Sequence, residues 1–303
     1  MTTLRTRALG LAVAAGLLAA LALAAMAPAA QKSKADRPQP GKRILYKTTT
    51  DAKGNKVELH LHLFLPEGHK ATDKRPAIVF FFGGGWVGGS PSQFYPQAAH
   101  LASRGMVAMA AEYRVGKAHG TTPKECVADG KSAIRYVRRH ADELGIDPDR
   151  LVAGGGSAGG HVAAATATIT AFDEPGEDTA TSAVPNALVL FNPVYDNGPE
   201  GYGYDRVKDY WRRISPLQNI RKGMPPAIVF LGTKDKLIPV ATGKAFQAEM
   251  QRVGSRSDLM LYEGQGHGFF NFGRGGGESY TRTVAQMDAF LTSLGWLKAA
   301  DAP

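Results

Sequence analysis

Three residues of this chain have the types and placement for nucleophilic chemistry: a serine, an aspartate and a histidine, in that order. Ser157 lies in Leu151–His161 (LVAGGGSAGGH), an apolar run ending in glycines and alanines, and residues 155–159 fit G-x-S-x-G. A strand that feeds a helix through a very sharp turn exposes the serine Oγ, and only small neighbours avoid the clashes such a turn creates. The serine would also stand at a helix N-terminus, where free N–H groups favour a developing negative charge. Taken alone, the segment also reads as a Gly/Ala-rich strand–helix turn. A phosphate loop would need G-x-x-x-x-G-K-[ST], and no lysine follows here.

A serine hydroxyl needs a base, and the base needs an orienting group. Asp235 sits in LGTKDKLIPV (Leu231–Val240), just past an apolar run and before Pro239. His267 sits in the small-residue loop GQGHGFFN (Gly264–Asn271) after the next run. Separately, Asp235 reads as a helix cap and His267 as a loop histidine. Together they give the chain order serine, acid, histidine, each at the C-terminal end of an expected strand, where catalytic groups gather in open α/β sheets. A fourth part is FFGGGWVGG (Phe81–Gly89). Its consecutive glycines let backbone N–H groups approach a tetrahedral oxyanion, with the N–H of Ala158 on a second side.

The elements that must hold these residues alternate. KVELHLHLFLP (Lys56–Pro66) has period 2 and predicts an early antiparallel strand. Strands are further expected at Ala77–Phe82, Met106–Tyr113, Arg150–Gly155, Asn186–Pro193, Ala227–Gly232 and Asp258–Gly264. Helices are expected at Ser92–Ser103, Pro123–Leu144, Ser157–Thr168, Val240–Arg252 and Ser279–Leu294. Buried strands alternating with helices imply a mostly parallel sheet covered on both faces. Two stretches break the alternation: the acidic loop Ala171–Ala183, and Val194–Gly223, long enough to expect a lid or binding loop. The latter carries Tyr195, Tyr202, Tyr204, Tyr210 and Trp211, which suit stacking on sugar rings or packing of the insertion onto the sheet.

In combination, "GGG" after the third strand, "GGSAGG", "GTKDKLIPV" and "GHGFFN" resemble the α/β-hydrolase superfamily, particularly esterases of the hormone-sensitive-lipase-like (acetyl esterase) group. The likeness runs from about Lys56 to Leu294. It implies an α/β-hydrolase fold of about eight mostly parallel strands, with helices on both faces and a small cap insertion at 194–223. It also implies Ser157 as nucleophile, His267 as base, Asp235 as its orienter, and Gly84, Gly85 and Ala158 as oxyanion donors. Where the family has a histidine before its three glycines, this chain has Phe82. The expected activity is hydrolysis of short acyl esters, acetyl esters of carbohydrates included, through an acyl-enzyme and without cofactor or metal. Trp86, Tyr195, Tyr202 and Trp211 are the expected substrate contacts. Two other readings stay open: a serine peptidase of the prolyl-oligopeptidase type, against which the lack of a propeller-sized segment counts, and a non-catalytic binding protein on a hydrolase scaffold.

Composition sets the frame. The 303 residues are 44% hydrophobic and 21% charged with 36 glycines, which suits one loop-rich α/β core rather than a disordered chain. The start has Arg5 and Arg7, an apolar run from Ala8 to Ala27 and an A-x-A site at Ala27-Pro28-Ala29, the pattern of a secretory signal peptide. An uncleaved anchor is the competing reading, since the run nears the ~20 residues that span a bilayer. The expected division is therefore a leader at 1–29, a linker at 30–42 and a catalytic domain at 43–299, with export from the cytoplasm and no membrane insertion once the leader is removed. The formal charge of +9 owes much to Lys32, Lys34, Arg37, Lys42 and Arg43 near the expected new N-terminus. No basic–aromatic stripe or recognition motif points to nucleic acid. Cys126 is the only cysteine, so no internal disulfide can form; it is expected to be a small buried hydrophobe. His60 and His62 form H-x-H between leucines and read as a strand's polar face before a metal site. His161 is expected to pack rather than to react. The oligomeric state is not legible.

Overall fold

In the computed structural model, which describes residues 37–299, the uninterrupted apolar runs form the middle of one eight-stranded sheet. The elements in chain order are β1 (Lys42–Thr50), β2 (Lys56–Phe64), β3 (Arg75–Phe81), α1 (Tyr95–Ser103), β4 (Val107–Ala111), the single turn α2 (Gly116–His119), α3 (Pro123–Arg139), β5 (Ile146–Gly156), α4 (Ala158–Thr168) and β6 (Ala187–Phe191). The single turns α5 (Tyr204–Val207) and α6 (Trp211–Ile214) follow, then β7 (Ala227–Gly232), α7 (Val240–Arg252), β8 (Ser257–Tyr262) and α8 (Glu278–Ser293). The sheet order is β1-β2-β4-β3-β5-β6-β7-β8. β2 is antiparallel to both its neighbours, and every other pairing is parallel.

Side chains of a strand alternate between faces, so each apolar run feeds two cores. On β3, Ala77, Val79 and Phe81 join Ile134 of α3, Val162 of α4 and Phe246 of α7 on one face. Ile78 and Phe80 join Leu101 of α1 and Met287 of α8 on the other. This is the two-faced cover expected of a parallel sheet.

Among the differences from expectation, β5 begins at Ile146 rather than Arg150, and two others have a clear physical reason. β1 hides its pattern because a bulge between Leu45 and Lys47 turns both Tyr46 and Lys47 inward, which breaks the period-2 signal. α3 stops at Arg139; residues 140–145 continue as turns, with the N–H of Ile146 on the carbonyl of Ala141. The last residues of the expected linker are tied down: Arg37 donates to the carbonyl of Ser92 at 3.1 Å, and the N–H of Gly41 to that of Leu63 at 3.0 Å. The expected leader and residues 30–36 lie outside the described residues. Among the described residues no helix is long and apolar enough to cross a membrane.

The acidic loop is an electrostatic strap. Asp173 pairs with Lys131 and Arg135 of α3 at 2.7 and 2.6 Å, and Glu177 with Arg135 at 3.1 Å. Glu174 reaches Lys47 and Arg114, and both cations also bind the fully buried Asp129, at 2.6 and 2.7 Å. Cys126 is buried, as expected, with its thiol donating to the carbonyl of Arg114. The H-x-H pair is spent on side-chain hydrogen bonds: His60 and His62 both reach Glu112, at 3.1 and 2.9 Å, and His62 also meets the Tyr95 hydroxyl. Burial alone would raise the Glu112 carboxyl, but these imidazole hydrogen bonds outweigh it and hold the pKa down to about 2.

Candidate active site

Ser157 sits between β5 and α4 with φ 54° and ψ −122°, a conformation that costs a non-glycine residue energy and persists only where its surroundings enforce it. Two glycines permit it. A Cβ at Gly155 would lie 2.4 Å from the carbonyl oxygen of Gly159, and one at Gly159 would lie 2.1 Å from that of Phe81. The helix start therefore presses against the end of β3, which brings the serine beside the glycine loop. The N–H of Ser157 is held by the carbonyl of Phe191 at 2.9 Å.

The structure brings the three separated residues into one chain of hydrogen bonds. His267 Nε2 is 2.9 Å from Ser157 Oγ, and His267 Nδ1 is 2.8 Å from Asp235 Oδ2. The other oxygen of Asp235 accepts the N–H groups of Leu237 and Ile238 at 2.8 and 3.0 Å, so the carboxylate is fixed from behind. That arrangement places a proton on Nδ1 and leaves the Nε2 lone pair facing the hydroxyl, as a base must. Asp235 is buried and Ser157 and His267 half-buried.

Ser157 and His267 line a cleft of about 500 Å³ together with Gly83–Gly85, Tyr202 and Phe270. The N–H groups of Gly84, Gly85 and Ala158 have no hydrogen-bond partner among the described residues, which leaves them available to an anionic oxygen. Of the expected substrate contacts only Tyr202 lines the cleft. Trp86 is buried, with its indole N–H on His161 Nδ1 at 3.3 Å. Tyr195 is fully buried and stacks on Phe246 at 4.3 Å. Trp211 lies outside the cleft, under the Arg212 guanidinium and beside Gly198. Both Trp86 and Tyr195 bring more apolar area than a small rim could expose, so packing claims them. The insertion packs Val207 and Ile214 onto Val127 of α3, Ala165 of α4 and Ile169 just after it.

His161 is the pillar beneath this arrangement. It accepts from Trp86 and gives its Nε2 proton to the carbonyl of Ile214 at 2.9 Å, joining α4 to the glycine loop and the insertion. Burial, against the hydrogen bond to Ile214, lowers its pKa to about 4, so the ring is neutral. Asn192, fully buried at φ 32°, was not legible as a site residue. Its oxygen accepts the N–H of Gly268 at 3.3 Å, and its amide nitrogen is 3.4 Å from His267 Nε2. Its one signal in the sequence was its place immediately after β6.

A family model for BD-FAE matches residues 61–192, and one for the dienelactone hydrolase family matches residues 200–300. The structure is similar to esterase 2 of Thermogutta terrifontis, with a TM-score of 0.82 and 46% identity over 87% of this chain and 98% of that one. The chain belongs to the α/β-hydrolase esterases. The same T. terrifontis esterase has also been solved with propionate bound, at 45% identity, a TM-score of 0.80 and coverage of 86% of this chain and 96% of that one. Among curated relatives, the acetylxylan esterase of Xylanibacter ruminicola is 27% identical over 283 residues, 88% of this chain and 52% of that protein. Esterase LipC of Mycobacterium tuberculosis is 33% identical over 221 residues, 65% of this chain and 54% of that protein. The chain thus spans about half the length of these curated relatives.

Proposed function

We propose that this α/β-hydrolase is an exported serine esterase acting on short acyl esters, acetylated carbohydrates included. The observation that carries the reading is the hydrogen-bonded chain Ser157–His267–Asp235 opening onto a cleft. His267 takes the Ser157 proton as Oγ attacks the ester carbonyl. The oxyanion forms against the N–H groups of Gly84, Gly85 and Ala158. The proton then passes from His267 to the leaving alcohol. Water, deprotonated by the same imidazole, releases the acid and frees Ser157. Asp235 stabilises the imidazolium that exists between the two transfers.

Short acyl preference is supported by the modest cleft, walled by Phe270 and Leu237, and by likeness to an esterase solved with propionate bound. The carbohydrate ester is supported by likeness to an acetylxylan esterase. The esterase relatives speak against the peptidase and the non-catalytic readings. Export follows from the basic start, apolar run and A-x-A site, with residues 1–29 as the leader and 43–299 as the catalytic domain.

A series of p-nitrophenyl esters from acetyl to octanoyl, run beside acetylated xylan, tests the activity. The expected profile has kcat/KM highest at acetyl to butyryl and a p-nitrophenol burst that Ser157→Ala abolishes. A burst surviving in that variant, or a profile rising to octanoyl, overturns the reading. The mass of the exported protein tests the leader, with Ala30 expected as its first residue.

A further inference from the structure

Phe82 stands just before the glycine loop, and its contacts hold the two ends of that loop, the ring lying against Gly89. Its ring stacks on Tyr113 at 4.2 Å, and its carbonyl accepts the Tyr113 hydroxyl at 2.6 Å. The first N–H of the loop is held from elsewhere. Gly83 donates to Gln93 Oε1 at 2.6 Å, Gln93 Nε2 donates to Asn271 Oδ1 at 2.9 Å, and Asn271 Nδ2 donates to the carbonyl of Gly268 at 2.8 Å. One end of this relay lies one residue before Gly84. The other lies one residue after His267.

The polarity of the relay is dictated by its ends. The backbone N–H of Gly83 can only donate and the carbonyl of Gly268 can only accept, so two primary amides in series make three bonds in one orientation alone. The backbone of Gln93 is fixed by its neighbour Phe94, buried and stacked on Phe80 at 4.9 Å and on Phe270 at 5.7 Å. Gln93 and Asn271 also line the cleft itself. A rigid anchor, a directed relay and two loops that must meet at one reacting carbon make a spacing device.

We propose that Gln93, bridged to Asn271, is a positioning residue that sets the oxyanion loop at its working distance from the histidine loop. This rests on the serine-esterase reading. Preorganised donors lose their value when displaced by a fraction of an ångström, so the bridge acts on the transition state more than on bound ester. Gln93→Met keeps the length and deletes both hydrogen bonds; Asn271→Leu breaks the far end.

The test is a double-mutant cycle on p-nitrophenyl acetate, with Tm measured for every variant. Gln93→Met is expected to lower kcat about 10–100-fold, below the ~10²–10³ of deleting an oxyanion donor, with KM changed less than about threefold. The double variant should lose no more than the worse single variant, because one bridge is broken once. Two results overturn the inference: Gln93→Met keeping wild-type kcat, with or without a lowered Tm, or losses that multiply across the cycle. If Gln93→Met does not fold, Asn271→Leu decides alone by the same kcat-against-KM criterion. A wild type that hydrolyses no ester and takes no serine-directed phosphonate overturns the esterase reading instead, and this inference with it.

Discussion

Asp235→Asn exchanges one oxygen for an NH2 and should nonetheless remove nearly all turnover. In the native protein Oδ1 accepts two backbone N–H groups, at 2.8 and 3.0 Å, while Oδ2 accepts Nδ1–H of His267 at 2.8 Å. An asparagine has one accepting atom for these two tasks. With its oxygen toward His267, its NH2 would face the N–H groups of Leu237 and Ile238, forfeiting two hydrogen bonds at about 1–3 kcal/mol each. Turned the other way it keeps both and presents N–H to Nδ1. The imidazole proton then moves to Nε2, so a donor faces the serine where an acceptor is needed. A preference of about 2–6 kcal/mol leaves at most a few per cent of molecules in the productive tautomer. Those molecules also lack the carboxylate that stabilises the imidazolium. The two losses together bring kcat down by about 10⁴, or ~5.5 kcal/mol of barrier. Steady-state hydrolysis of p-nitrophenyl acetate at mildly alkaline pH, with Tm measured on the same samples, reads this directly. A folded variant that keeps more than a tenth of wild-type kcat would refute the orientation argument.

His161 predicts a pH dependence of stability: its folded pKa of about 4 lies below the unfolded value near 6.5, so only the unfolded chain binds a proton there between those limits. Stability should fall as pH drops through that window, by about 3 kcal/mol from this ring. Melts at about pH 5 and 7 should show a smaller difference for His161→Gln, and equal slopes would count against a buried neutral ring. Asp129→Asn strips a buried carboxylate from Lys47 and Arg114 and should cost about 3–5 kcal/mol in urea titration; a cost near zero would mean Glu174 alone neutralises both cations. Gly159→Ala drives a Cβ to within 2.1 Å of one carbonyl oxygen and 2.3 Å of another, neither on a movable side chain. It should lose about 3 kcal/mol or more, and a variant as stable as wild type would deny the close approach of α4 to β3.

The strands that carry the site were legible because parallel, doubly covered strands read as unbroken apolar runs: Ala77–Phe82 and Ala227–Gly232 could be little else. Ser157 and Asp235 were legible because each follows such a run, and His267 because its small-residue loop follows the next expected strand, the half-exposed β8. β1 was not, since its bulge puts adjacent side chains on one face. The aromatic residues misled for a general reason. Trp86 and Tyr195 sit in segments that look like exposed loops, yet loop aromatics with room beneath them bury themselves. Gln93, Asn192 and Asn271 carry amide hydrogen bonds whose partners lie 75 to 178 positions away, and spacing along the chain holds no trace of such contacts.

Sheet order has a consequence for how this protein fails. The serine elbow lies at the end of β5, in the middle of the sheet, whereas the acid and the base hang from β7 and β8, and β8 is an edge strand paired on one side only. Edge elements with few neighbours open at lower free energy than the centre. On the proposed mechanism, undocking of β8 would take His267 away while the Ser157 elbow stays folded and chemically idle. The lifetime of activity in a warmed sample should then track the residence time of one peripheral strand and activity should return on cooling, which esterase assays and circular dichroism followed through one heating and cooling cycle would check.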